Sequence, residues 1–275
     1  MTNLFNYIDR RSPIHALTGA TKLLCLILWS TACMLTFDTR FLLIMPVAAF
    51  ILMKISKIRY KDVSFILNFT LIFMVFNNIV IYLFSPQYAC GIYGTKHLLF
   101  GMTGKYALTA EQLFYHLNQM LKCLSIVPIV VLFVTTTEPS EFAASLNKLH
   151  VPYSVSYSVS LALRYIPDIQ REYHEISQAQ QARGIEMSKK ENVFRRLKSA
   201  SSILIPLILS SMDKIETISN AMELRSFGKN AKRTWYRARK FKKADIISIA
   251  VCALLVFAAI ALNILNGGRF FNPFI

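Results

Sequence analysis

Residues 63–84 read VSFILNFTLIFMVFNNIVIYLF, a run without a single acidic or basic side chain. Coiled as an α-helix it rises about 33 Å, enough to cross the roughly 30 Å hydrocarbon core of a bilayer. Working outward, residues 112–134 and 245–265 are almost as apolar, each with a single Asp, Glu, Lys or Arg side chain, as is 16–37, where that one, Lys22, sits near one end and its stem can snorkel to the headgroups. The weakest stretch is 41–53, whose thirteen residues rise only about 20 Å and include Pro46. It crosses only if Lys54 and Lys57 reach back to the headgroups; otherwise it is re-entrant. The pattern predicts an all-α integral membrane protein with about five transmembrane helices.

Composition agrees. Of 275 residues 54% are hydrophobic and 17% charged, against about 25% charged in soluble domains, and disorder requires low hydrophobicity. The 31 basic and 15 acidic side chains give a net charge of +16. Beside long apolar runs this is the positive-inside rule rather than a nucleic-acid surface. Residues 54–62 hold Lys54, Lys57, Arg59 and Lys61, and 135–243 hold nineteen more basic residues, whereas the opposite-side segments hold only Arg40, Lys96, Lys105 and Arg269. The expected topology in the cell membrane therefore has the N-terminus inside, five crossings and the C-terminus outside. The first fifteen residues lack an apolar core with a cleavage site, so no cleavable leader is expected. Five cysteines without CxxC spacing indicate neither disulfide framework nor zinc site, and His15, His97, His116, His150 and His174 lack i,i+4 pairing. No GxxxxGK[ST] loop occurs, so any ATP chemistry lies elsewhere, and no cofactor or metal is expected.

Three regions follow: 1–134 with four crossings, 135–243 outside the membrane, and 244–275 with the last span. The middle region is too long for a structureless loop. Pro139 after Glu138 opens a short helix ending near Leu149, and longer helices are predicted over 154–183 and 189–225, about 45 and 55 Å long. Pro167 and Pro206 are expected to kink or divide them. On the first, Ile169, Tyr173, Ile176 and Ala179 form an apolar stripe whose next member is Arg183; on the second, Ile208, Met212, Ile215, Ile218 and Met222 lead to Arg225. Residues 175–184 (EISQAQQARG) align without gaps with 217–226 (TISNAMELRS), sharing Ile, Ser, Ala and Arg. Arginine in a last helical turn meets unpaired carbonyls, and Gly184 suits the left-handed position that stops a helix. The guanidinium fork can then grip another protein, or be a plain helix-end cation in water or against headgroups. Within the spans, Asn68, Asn77, Asn78 and Lys122 should face protein or water. Alanines 250, 253, 258, 259 and 261 allow close helix approach.

These residues resemble the transmembrane coupling subunit of energy-coupling factor transporters, the EcfT or CbiQ-like family. Ser12-Pro13-Ile14-His15-Ala16-Leu17 with Lys22-Leu23 resembles its N-terminal signature, with Ala16 where Arg is usual and Gly19 where Pro is usual; His15 is read as structural. Leu163-Arg164-Tyr165-Ile166-Pro167 resembles the central motif, Ala182-Arg183-Gly184 the first Ala-Arg-Gly motif, and Leu224-Arg225-Ser226 keeps only the arginine of the second. The resemblance implies a scaffold without catalysis of its own, joining two ATP-binding-cassette ATPases to a membrane-embedded substrate-capture subunit for a vitamin or metal ion. It implies long cytoplasmic helices crossed as an X, Arg183 and Arg225 each docking one ATPase, and the two stripes packing the helices together and against the capture subunit. The rival readings are a membrane enzyme acting on anionic lipid headgroups, for which the carboxylates are too dispersed, and a self-sufficient permease, for which inverted halves are not visible.

Overall fold

The computed structural model describes residues 12–99, 106–184, 193–229, 234–235, 239 and 241–273. Among them lie nine helices: α1 (Gly19–Leu35), α2 (Thr39–Ile55), α3 (Tyr60–Phe84), α4 (Tyr88–Tyr93), α5 (Ala110–Thr136), α6 (Pro139–Lys148), α7 (Tyr153–Ala182), α8 (Val193–Leu224) and α9 (Lys243–Leu265). They fall into two units, Met1–Glu138 with Arg239–Ile275, and Pro139–Ala238.

In the first unit Val63–Phe84 of α3, together with α5 and α9, is long and apolar enough to span a membrane, and α1 is a shorter apolar helix of 17 residues. The second apolar run is longer than its thirteen residues implied. Asp38 caps the start of α2 by accepting the Arg40 N–H, and the helix continues to Ile55, a rise of about 25 Å. Helices α1 and α9 start together, α5 ends beside them, and the opposite ends of α1, α2, α5 and α9 are joined in turn. There Asn263 Nδ2 donates to the Leu35 carbonyl at 3.0 Å, Asn266 Nδ2 to Asp38 Oδ2 at 2.8 Å, and Thr39 Oγ1 to Asn118 Oδ1 at 2.7 Å. The core is built from Trp29, Ala32, Cys33, Met45, Ile129 and Ala259. Of the alanines in α9, Ala259 is the one fully buried, against a cluster that includes Ala32 of α1; with no side chain beyond Cβ on either, the helices pack closely.

The two intramembrane lysines are both buried, which corrects the snorkelling expectation for Lys22. Its Nζ donates to the Thr136 carbonyl at 2.7 Å, at a helix C-terminus where carbonyls lack backbone donors and the helix dipole favours a cation. Lys122 Nζ lies 3.2 Å from the centroid of the Phe37 ring and donates to the Met34 carbonyl at 3.4 Å. Asn78 bridges α3 to α5, its Oδ1 2.7 Å from His116 Nδ1. Asn68 instead accepts the Tyr60 hydroxyl within its own helix.

In the second unit α7 starts at Tyr153, directly after Pro152, so the alternating YSVSYSVS run is helical. Neither Pro167 nor Pro206 divides its helix. At Pro206 the reason is visible. Proline has no N–H for the carbonyl four residues earlier, that of Ser202, and Gln180 Nε2 of α7 donates to that oxygen at 3.1 Å. A further bond ties Glu172 to Lys214 at 2.6 Å, and the Ser210 hydroxyl donates to the same carboxylate. Residue numbers rise along α8 as they fall along α7, so the two helices are antiparallel where they meet. The start of α7 and the end of α8 are joined by rings: Tyr157 stands 4.6 Å from Phe227 and Tyr153 5.4 Å from Trp235, whose Nε1 donates to Asn147 Oδ1 at 3.1 Å.

Candidate functional site

The sequence repeat ends at two helix termini of one construction. Helix α7 stops at Ala182, Arg183 is the capping residue, and Gly184 takes a left-handed φ of 82°. Helix α8 stops at Leu224, Arg225 occupies the corresponding place, and Ser226 takes φ 52°. The capping bonds correspond too. The Gly184 N–H donates to the Gln181 carbonyl at 3.0 Å and the Ser226 N–H to the Glu223 carbonyl at 2.8 Å. Phe227 completes the second cap by donating to the Met222 carbonyl at 3.0 Å, which is the Schellman arrangement. Thus the serine in place of glycine keeps the geometry, at the cost a side chain pays in that region. Ala182, Arg183, Gly184, Arg225 and Ser226 are all exposed, and Leu224 is 87% exposed.

The stripes leading to these ends are also largely open. Ile169 is 40% and Tyr173 42% exposed, and Ile208, Met212 and Ile215 range from 56% to 65%. Ala179 is exposed, while Ile176, Ile218 and Met222 are half-buried. The expectation that the stripes hold the two helices together is corrected in part: the hydrogen bonds between α7 and α8 come from Glu172, Gln180, Ser202, Ser210 and Lys214. On α8, Ile203 and Leu207 are buried on the face that continues to Ser210 and Lys214, by steps of four, three and four. Sequence reading missed this seam because its residues are polar at half their positions. The Lys214 ammonium and Ser210 hydroxyl hold the Glu172 carboxyl below the ordinary glutamate range. In the central motif Arg164 and Pro167 are exposed, at five and two residues before Ile169.

The N-terminal motif has the opposite surroundings. Ser12 and His15 are buried, with Ser12 Oγ 2.7 Å from His15 Nδ1, while Pro13 is exposed. Arg239 Nη1 donates to the His15 carbonyl at 3.0 Å. Next to them stands Asp245, 1% exposed, which the sequence did not single out. Its Oδ1 accepts the Thr18 N–H at 2.9 Å and its Oδ2 the Lys242 N–H at 2.7 Å, so one carboxylate caps the starts of α1 and α9 together.

Apolar spans together with long amphipathic helices that end in exposed arginines define a multi-pass membrane protein. The family model for CbiQ, described as a cobalt transport protein, matches residues 10–236, and the chain belongs to that family. It is similar to the energy-coupling factor transporter transmembrane protein EcfT of Staphylococcus aureus, 33% identical over 139 residues, covering 48% of this chain and 52% of the relative. The EcfT of Limosilactobacillus fermentum is 32% identical over 151 residues, 50% of this chain and 56% of that one. These alignments span about half of each relative, whereas that with the EcfT of Lactococcus lactis subsp. cremoris, at 26% identity over 269 residues, covers 91% of this chain and 94% of the relative.

Proposed function

We propose that the chain is the non-catalytic transmembrane coupling component of an energy-coupling-factor importer. It links two cytoplasmic ABC-type ATPases to a membrane-embedded subunit that captures a vitamin or a metal ion. The observation that carries this reading is the pair of matched helix ends, each presenting an exposed arginine at a capped terminus. Arg183 would enter a groove on one ATPase and Arg225 a groove on the other, flanked by Ala182 and Gly184 or by Leu224 and Ser226. The exposed stripes would supply the apolar contact for the capture subunit. ATP-driven closure of the ATPases would draw the two ends together, and α7 and α8 would pass that motion to the capture subunit, tilting it between outward-facing and inward-facing orientations. In this reading region 135–243 is cytoplasmic, with the N-terminus on the same side and the C-terminus outside, as the basic residues favour.

The test is co-purification in mild detergent. The unaltered chain should bring down two ATPases and a small hydrophobic protein, and the double variant Arg183→Ala, Arg225→Ala should lose the ATPases while remaining in the membrane. Removing one partner of a desolvated charge pair costs about 3 to 5 kcal/mol, against roughly 0 to 1 for an exposed pair, so each single change should weaken docking more than a hundredfold. Undiminished ATPase recovery and transport by the double variant would reject the assignment.

A further inference from the structure

The first unit carries a furrow of about 110 Å³ between α2, α3 and α5, bounded by Phe50, Tyr60, Leu67, Leu71, Leu124 and Val127. Its polar atoms are engaged internally. The Tyr60 hydroxyl donates to Asn68 Oδ1 at 2.8 Å, and Thr70 Oγ1 to the Ile66 carbonyl at 2.8 Å. The walls thus offer an occupant little but hydrocarbon, and two of the three helices that form them are long and apolar enough to span a bilayer. Water gains nothing there. Along α3, Tyr60 to Leu71 rises about 16 Å, one leaflet of a roughly 30 Å hydrocarbon core.

At one end the furrow meets charge. Lys54 follows Phe50 by one helical turn, Arg59 immediately precedes Tyr60, and Lys57 lies between them; all three are exposed. A basic rim at the end of two spans, beside an apolar furrow open along α3, is complementary to a molecule with a negative head and a long apolar tail. We propose that this furrow binds one anionic glycerophospholipid, its phosphate held by Lys54, Lys57 and Arg59 and one acyl chain lying between α3 and α5. The lipid moors α3, whose apolar window is only 11% buried against 39% for α5. The site is independent of the arginine-tipped ends and of what they dock.

The experiment uses the full chain, with whatever co-purifies, in phosphatidylcholine vesicles. The vesicles are doped either with phosphatidylglycerol carrying a diazirine acyl chain or with phosphatidylcholine carrying the same chain. After illumination, labelled peptides are mapped by mass spectrometry. Phosphatidylglycerol should label 60–71 and 123–128 on the order of tenfold more than phosphatidylcholine, with no such preference on α9. The variant Lys54→Gln, Lys57→Gln, Arg59→Gln should bring labelling down to the phosphatidylcholine level. Leu124→Trp, which fills the furrow, should abolish it for both lipids while α9 labelling stays as it was, showing that the fold persists. Equal labelling by the two lipids, a preference spread evenly over α9, a preference that survives the triple change, or a partner's helix cross-linked in place of lipid would each overturn the proposal.

Discussion

Two sets of basic residues in this chain are put to opposite uses. Lys22 and Lys122 sit inside the membrane unit, buried and bonded to main-chain carbonyls, and the neighbouring Ser12, His15 and Asp245 are likewise buried and hydrogen-bonded. Arg183 and Arg225 stand exposed at the ends of amphipathic helices. The difference teaches that the buried residues hold the frame, whereas the two arginines lie at the surface, where the proposed docking needs them. The caps at α7 and α8 need no guanidinium, because main-chain N–H groups already serve their carbonyls.

The largest expected effect is at Asp245. Asp245→Ala strips the acceptor from the buried Thr18 N–H and the partly buried Lys242 N–H and should cost about 3 kcal/mol, read as a lower unfolding temperature in detergent. Arg183→Ala should change the same temperature by no more than about 0.5 kcal/mol equivalent. Equal losses would erase the distinction between the two sets. A smaller effect sharpens the likeness of the two helix ends. Gly184→Ala forces a side chain into the left-handed region and should destabilise by about 1 kcal/mol, while Ser226→Gly removes such a side chain and should stabilise by up to about 1 kcal/mol. Opposite signs in thermal unfolding are the expected reading; a destabilising Ser226→Gly would mean that its hydroxyl matters more than its backbone.

The smallest effect concerns the seam between α7 and α8. Because the Glu172 carboxyl is held below its ordinary range by Lys214 and Ser210, its contribution is fully present above the ordinary glutamate value and is lost as pH falls through the depressed one. The protection of amides 202–214 against hydrogen exchange, relative to the intrinsic rate at each pH, should therefore fall under acid, below about pH 4, and Glu172→Gln should remove that dependence. An acid response unchanged by Glu172→Gln would assign it to other groups.

Much of the fold was legible because it follows local periodicity. The spans, the long helices of 139–224 and the halt at Gly184 all come from patterns within one element. What stayed hidden depends on partners far along the chain. Lys22 meets Thr136, and Asp245 meets Thr18, across separations that leave no trace in apolar spacing. The length of α2 depended on Asp38 as a cap rather than on hydropathy. The short α4 and the tail beyond α9 were invisible for the same reason: Phe37 accepts company from Phe270, with ring centroids 4.6 Å apart, and its N–H donates to the Arg269 carbonyl. Prolines misled in the other direction. Pro206 reads locally as a break, and only the neighbouring helix shows why it is not.

The oxygen left open by Pro206 acts as an index mark. Proline takes that one carbonyl out of the ladder of α8, and a slip of a single residue would carry Gln180 away from it. With Glu172 tied to Ser210 and Lys214 farther along, the two rods are held in register at more than one point.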